Sequence, residues 1–179
     1  ALRDDLCLVA EDDEGRLVST AQIVPKTVRL GGVEVRMGGI GNVFTTEAWR
    51  HRGVASQVMR RAVELLEQEA FEVSLLFASR LTFYAQFGWG GARRLLGALI
   101  PPPRPAAAAA GVRRFDAGRD LEAVMAIYDA YSAPRSGTVA RDRAYWLGQL
   151  GYAGNPGETF LLAERGGRVV AYLRLVDLY

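Results

Sequence analysis

A basic turn that contains a glycine is the part of this sequence best suited to chemistry. An apolar stretch that includes Val43, Phe44 and Thr45 runs into Arg50-His51-Arg52-Gly53, and an amphipathic pattern begins at once with Val54. The first N–H groups of a helix have no partner within the helix, and the helix dipole adds partial positive charge there. The turn therefore predicts an anion site, most simply one for a phosphate.

The residues of the turn fit that chemistry individually. Gly53 has no Cβ and would let a phosphate oxygen approach the backbone, while Arg50 and Arg52 could donate charge-assisted hydrogen bonds. From Val54 to about Gln68 the apolar residues recur with a period near ~3.6, which predicts an amphipathic helix. A single glycine beside arginines is also common at helix starts that bind nothing, so the turn alone does not establish a site.

The sequence after this helix adds a second candidate. Residues 73–78 form an apolar run typical of a buried strand, and residues 79–89 predict a short helix that carries Phe83-Tyr84. Ser79 or Thr82 could cap this helix, and Gly88 could end it.

This order of elements resembles the GNAT N-acetyltransferase superfamily. Residues 50–55 match the family's Arg/Gln-x-x-Gly-x-Gly/Ala turn, which binds the pyrophosphate of acetyl-CoA, and residues 83–89 match its tyrosine helix followed by Gly and an aromatic residue. The resemblance implies that Tyr84 is catalytic and protonates the departing CoA thiolate. A phenol with a pKa near ~10 suits that task, although an arbitrary tyrosine is more often a half-buried packing residue.

The later segments are similar to the Eis (enhanced intracellular survival) type, which carries two tandem acetyltransferase folds and a sterol-carrier-like domain. An internal repeat supports a tandem arrangement: residues 7–18 and 160–170 each predict a β-hairpin with Ala-Glu, a polar turn and Gly-Arg. Strand-like residues 112–115 and helices over about 121–132 and 141–150 precede the second hairpin. Nothing comparable precedes the first.

The expected fold class is α/β (α+β), with a twisted, mixed and mostly antiparallel sheet flanked by helices, in two tandem copies that are both incomplete in this chain. We expect an N-terminal acetyltransferase domain at 1–100, a Pro/Ala linker at 101–111, and the first half of a second domain at 112–179. A further C-terminal domain outside this chain is expected by resemblance.

The resemblance also implies where the donor, acetyl-CoA, binds. Backbone groups at Val43, Phe44 and Thr45 would pair with its pantetheine amides, and the remaining contacts would come from Arg50, His51, Arg52, Gly53, Val54, Ala55, Ser56, Ser79 and Arg80. Two positions depart from the family pattern. Many relatives carry Arg or Lys at His51, and Eis-type relatives more often carry a carboxylate at Arg80.

The acceptor and its base are less defined. Eis-type enzymes acetylate aminoglycosides, polyamines or lysine side chains, and their base is the carboxylate of the extreme C-terminus; Tyr179 is not assigned that role here. Glu47 is the nearest local candidate base, although a solvated loop residue is the favoured interpretation. The acidic run at residues 11–14 is interpreted as a solvated hairpin turn.

Composition limits the partners. The chain has 179 residues and a net charge of +2, which implies no strongly charged partner. A basic interaction module built on the helix from Val54 is an alternative, but Glu64, Glu67 and Glu69 would repel a nucleic acid backbone. A second alternative is a degenerate acyl-CoA-binding sensor or scaffold.

The remaining expectations are general. His51 is the single histidine, so we expect no metal site; no apolar run is long enough to span a bilayer, so we expect no membrane partner and a cytoplasmic location. A homo-oligomer is also among the expectations.

Cys7, in an apolar strand, is expected to be buried. The aromatic residues of the second fold are expected to pack rather than to bind a cofactor: Tyr128, Tyr131, Tyr145 and Trp146.

Overall fold

The computed structural model describes residues 4–92, 111–151 and 157–175. The chain divides into two compact units, Ala1–Arg94 and Leu95–Tyr179. The predicted Pro/Ala linker lies almost wholly outside the described residues, as does Tyr179.

The first unit is built on a sheet with the strand order β1-β2-β3-β4. Strands β1 and β2 and strands β2 and β3 pair antiparallel, whereas β3 and β4 pair parallel. Helix α1 connects β3 to β4, as a parallel pair requires a crossover. The elements are β1 (Cys7–Glu11), β2 (Leu17–Leu30), β3 (Val33–Thr45), α1 (Val54–Gln68), β4 (Val73–Leu76) and α2 (Leu81–Ala85).

Helix α1 packs closely on one face of this sheet. Its buried residues are Val58, Met59, Ala62 and Leu66, which share one face of a helix, and they meet Ile23 and Ile40 of the sheet. A Cβ on Gly38 would lie 2.2 Å from Cδ2 of Leu66, so any larger residue there would have to displace that side chain. The close packing fixes where the N-terminus of α1 lies.

A β-bulge interrupts β3 shortly before its end. Thr20 lies opposite Phe44 and Gln22 opposite Gly41. Between these two pairs β3 advances three residues while β2 advances two, so β3 carries one extra residue. Asn42 adopts φ 51 there, a left-handed conformation that Asn tolerates better than most residues. Its Nδ2 donates to Oε1 of Gln22 at 2.6 Å, which holds the bulge in place. A bulge bends its strand, so β3 changes direction at this point.

The second unit contains a three-stranded antiparallel sheet in the order β5-β7-β8. Its core is made by Leu121, Val124, Tyr128, Trp146, Phe160 and Leu162. The elements are β5 (Val112–Arg114), α3 (Ala117–Ser132), β6 (Thr138–Val139), α4 (Arg143–Leu150), β7 (Thr159–Arg165) and β8 (Arg168–Leu175).

A buried carboxylate joins the elements of this unit. Asp120 of α3 is 2 % exposed and accepts two hydrogen bonds from Arg113 of β5, at 2.6 and 2.9 Å. Arg113 also donates to Glu164 of β7. The hydrogen bonds from Arg113, followed by those from Arg119 and the backbone N–H of Asp116, hold the pKa of Asp120 well below its usual range.

The predicted fold class is confirmed: both units are mixed α/β structures with antiparallel-rich sheets and flanking helices. Both repeat segments form antiparallel hairpins. Helix α3 starts at Ala117, earlier than predicted, because the side chain of Asp116 accepts a hydrogen bond from the N–H of Arg119 and caps it.

Two side-chain predictions are wrong. Cys7 is exposed, because β1 alternates and Cys7 lies on its outer positions. Tyr131 is 60 % exposed and stacks against Arg135 instead of entering the core, whereas Tyr128 and Trp146 are buried as expected.

Candidate active site

Strands β3 and β4 separate at the end of their shared pairing. The last parallel pair is Ile40 with Leu76, but β3 continues for five more residues to Thr45. Along residues 41–45, β3 pairs with β2 on one edge, and within the first unit no described strand pairs with its other edge. A strand edge of this kind offers backbone N–H and C=O groups to a ligand. Val43, Phe44 and Thr45 all lie on this segment.

The basic turn connects this segment to α1. Residues Glu47–Trp49 form one turn of 3-10 helix, and His51 and Gly53 then adopt left-handed conformations with φ 61 and φ 81. A Cβ added to Gly53 would meet nothing within 4 Å, so the space before the helix is open. Glycine is favoured at this position because of its positive φ. The absence of a Cβ would also allow the close approach that the sequence predicted.

The N-terminus of α1 is not occupied by its own side chains. Gly53 precedes the helix and supplies no side-chain cap, and the first turn, which contains Val54, Ala55 and Ser56, carries no acidic residue. Early N–H groups of the helix are therefore left for solvent or a ligand. Together with the dipole, they favour an anion.

The cationic residues of the turn lie at its rim. Arg50 Nε donates to the carbonyl oxygen of Thr45 at 3.2 Å, which anchors this side chain at the end of β3. The guanidinium of Arg52 lies 5.2 Å from the ring centroid of Trp49. Both arginines and His51 are exposed. Since a guanidinium has five N–H donors, each arginine keeps donors for an anion beside these contacts.

Tyr84 lies in an aromatic cluster on α2. Its ring meets Phe83 edge to face at 5.0 Å and Trp89 at 6.4 Å. The ring is half-buried, and no described residue hydrogen-bonds its hydroxyl group. Burial raises the pKa of Tyr84 above its ordinary value, because the phenolate loses solvation. The hydroxyl is therefore a proton donor at neutral pH.

The chain folds back after α2 so that Trp89 covers Tyr84. Gly88 has φ 101, which favours glycine, and the N–H of Trp89 bonds back to the carbonyl oxygen of Tyr84 at 3.4 Å. The sequence predicted that Gly88 ends the helix. Helix α2 instead ends at Ala85, and Gly88 lies where the chain reverses direction.

Comparison with known proteins agrees with this geometry. The family described as "Acetyltransferase (GNAT) domain" matches residues 1–92. An uncharacterized N-acetyltransferase of Streptomyces coelicolor is 33% identical over 156 residues, which cover 80% of this chain and 38% of the relative. The chain belongs to the GNAT acetyltransferase family.

Solved structures show the same fold. Eis1 from Mycobacterium abscessus matches with a TM-score of 0.66 at 24% identity, over 97% of this chain and 45% of that protein. A GCN5-related N-acetyltransferase from Anabaena variabilis matches with a TM-score of 0.69 at 16% identity, over 93% of this chain and 43% of that protein. The chain thus spans about two fifths of the length of these relatives.

Within this GNAT domain, Ser79 and Arg80 lie between β4 and α2, and both are exposed. The expectation that Ser79 or Thr82 caps α2 is wrong: Arg80 precedes the helix and no side chain caps it. Glu47 is exposed at the start of the 3-10 turn, as a solvated loop residue would be.

Sequence reasoning missed the polar residues of β2 and β3 that hold the last part of β3 in place. Ser19 is 1 % exposed, donates to the carbonyl oxygen of Phe44 at 2.8 Å and contacts Oγ1 of Thr45 at 2.9 Å. Asn42 and Gln22 hold the bulge. The Gly41-Asn42 pair, typical of left-handed backbone, was the signal that could have revealed the bulge.

Among the described residues, no group of three or more His, Cys, Asp or Glu side chains could hold a metal ion. In the same part of the chain, no helix is both long and apolar enough to cross a membrane.

Proposed function

We propose that this protein is an acetyl-CoA-dependent N-acetyltransferase that transfers an acetyl group directly to a primary amine. The observation that carries the proposal is the free edge of β3 over residues 41–45, which runs into the uncapped N-terminus of α1. A strand edge followed by an anion site fits a molecule with amides at one end and a pyrophosphate at the other. Family membership supports acyl transfer as the chemistry.

In this proposal the amine nitrogen attacks the thioester carbonyl carbon, and the C–S bond breaks as the new C–N bond forms. Backbone N–H groups near Val43 to Thr45 stabilise the negative charge that develops on the carbonyl oxygen. Tyr84 donates its hydroxyl proton to the leaving sulfur. The attacking nitrogen loses a proton to solvent, and solvent returns a proton to Tyr84. Burial raises the pKa of Tyr84, so the hydroxyl carries the proton that this step requires at neutral pH, as an unperturbed phenol also would.

The other assignments made from the sequence remain predictions within this proposal. The donor-binding residues are those of the turn and strand edge with Ser79 and Arg80, and the acceptor is an aminoglycoside, a polyamine or a lysine-like amine. The base, the homo-oligomeric state, the cytoplasmic location and a further C-terminal domain also stay predictions.

Acetyl-CoA binding by the full-length protein, measured by calorimetry, tests the proposal first. We expect micromolar affinity for the native protein and at least a tenfold loss in Gly53→Glu, whose carboxylate would repel the pyrophosphate. Gly15→Glu is a matched control, because Gly15 is also exposed, has φ 74 and would meet nothing within 4 Å with a Cβ. Equal losses in both variants would attribute the effect to backbone strain.

Turnover separates the enzyme from the alternative of an acyl-CoA-binding sensor. Thiol release would be followed with kanamycin, spermidine and a lysine peptide as acceptors. Tight binding with no thiol release from any amine would favour the sensor. No binding of acetyl-CoA by the intact native protein would contradict both.

A further inference from the structure

Two neighbouring side chains of the second unit each carry a buried hydrogen-bond donor without an acceptor. Trp146 is 1 % exposed, and its indole Nε1 has no hydrogen-bond partner. Nε of Arg141 is also buried without a partner. The guanidinium carbon of Arg141 lies 5.1 Å from the centroid of the Trp146 ring, so the two donors belong to neighbouring side chains.

Aromatic rings hold the Arg141 guanidinium there. Its central carbon lies 4.1 Å from the ring centroid of Tyr128 and 5.5 Å from that of Tyr145. These contacts do not provide a hydrogen-bond acceptor for Nε, which stays available for another group. Tyr128 is itself fixed, since its hydroxyl donates to the carbonyl oxygen of Val139 at 2.6 Å.

Some other arginines of this unit have a described carboxylate partner, which Arg141 lacks. Arg113 pairs with Asp120, Arg143 with Glu122 and Arg174 with Glu158. No described carboxylate lies within ion-pair distance of Arg141. A buried donor without an acceptor costs free energy, and a charged one costs more. We therefore expect an acceptor for Nε of Arg141 and Nε1 of Trp146.

We infer that Arg141 and Trp146 bind a carboxylate group. Nε and a neighbouring Nη of a guanidinium match the two oxygens of a planar carboxylate, which suits a site bounded by flat rings better than a tetrahedral anion does. The indole Nε1 can only donate, so it adds a further hydrogen bond to the same group. Tyr172, whose ring centroid lies 6.2 Å from that of Trp146, borders the site.

The carboxylate comes from a free small molecule or from an acidic residue of the full-length protein. The indole N–H signal of Trp146 in a ¹H–¹⁵N spectrum of the full-length protein, assigned with Trp146→Phe, distinguishes the two sources. Sodium acetate is the probe, and neutral acetamide at the same concentration is its control. Matched sodium chloride controls for ionic strength.

If the carboxylate comes from a free small molecule, added acetate shifts the indole signal of Trp146 downfield until the shift saturates. Acetamide does not shift it. Arg141→Lys keeps the charge but loses the two-donor edge, and we expect it to weaken acetate at least tenfold. Arg143→Lys, beside it in sequence and paired with Glu122, should change acetate affinity less than twofold.

If the source is internal, the native signal is already downfield, exchanges slowly with solvent and ignores acetate, while Arg141→Lys moves it upfield and speeds exchange. Because Trp146 is buried, slow exchange alone does not count as support. A native signal that does not respond to acetate and does not move upfield in Arg141→Lys would overturn the inference. So would an equal response to phosphate at matched ionic strength, since that would show a general anion site.

Discussion

The indole Nε1 of Trp89 donates a hydrogen bond to Oγ of Ser74 at 3.2 Å. Ser74 in turn donates to the carbonyl oxygen of Gly38 at 2.7 Å. This chain of two bonds ties the segment after α2 to strands β4 and β3. Because Trp89 lies against the ring of Tyr84, it also sets where the proposed acid stands relative to the free edge of β3.

Replacing Trp89 or Ser74 should therefore disturb the position of Tyr84 without removing its proton. We expect Trp89→Phe and Ser74→Ala each to lower kcat several-fold, with little change in the KM for acetyl-CoA. The double variant should be no worse than the poorer single one, because both break the same chain. Additive losses in a double-mutant cycle of kcat would contradict this coupling.

Tyr84→Phe should lower kcat by about 10²-fold, the usual worth of a positioned general acid. Affinity for acetyl-CoA should change little, because the ring and its contacts stay. Tyr131→Phe is the matched control, since that tyrosine is exposed in the second unit and should leave kcat unchanged. A Tyr84→Phe enzyme with native kcat would exclude the proton-donor role.

The pH profile gives an independent test of the same residue. Burial raises the pKa of Tyr84, so the acid form persists from neutral pH past the ordinary value of about 10. We expect no fall in kcat from Tyr84 ionisation below pH ~10. A falling limb near pH ~8 that disappears in Tyr84→Phe would show a lowered pKa and contradict this expectation.

Gly38→Ala should destabilise the first unit by about 1 to 3 kcal/mol, the usual cost of overpacking, because the new Cβ would meet Leu66. Gly41→Ala is the control: it lies on the same strand, and a Cβ there would meet nothing within 4 Å. Denaturant unfolding measures the difference. Equal destabilisation by both would mean that a methyl group is costly along β3 in general, and that the approach of α1 is not the cause.

The sequence was informative where local pattern decides structure. The period of α1 and the hairpins follow from residue type over short spans, and so does the glycine turn at Gly53. It was less informative where distant contacts decide. The bulge at Asn42 needs the β2 register, and the Trp89 to Ser74 bond joins residues 15 positions apart. Cys7 was misplaced because only strand pairing defines the outer face of β1.

Acid should unfold the second unit partly through Asp120. Its pKa is lowered by Arg113, so its contribution to stability is complete above about pH 4 and is lost as pH falls towards the lowered value. Asp120→Asn should reduce the melting temperature at pH 7 far more than Glu122→Gln, whose carboxylate is 74% exposed. The gap between Asp120→Asn and the native protein should then narrow below pH ~4, as native Asp120 loses its charge. A gap that stays constant from pH 7 to pH 2 would mean that Asp120 acts through its shape and not through its charge.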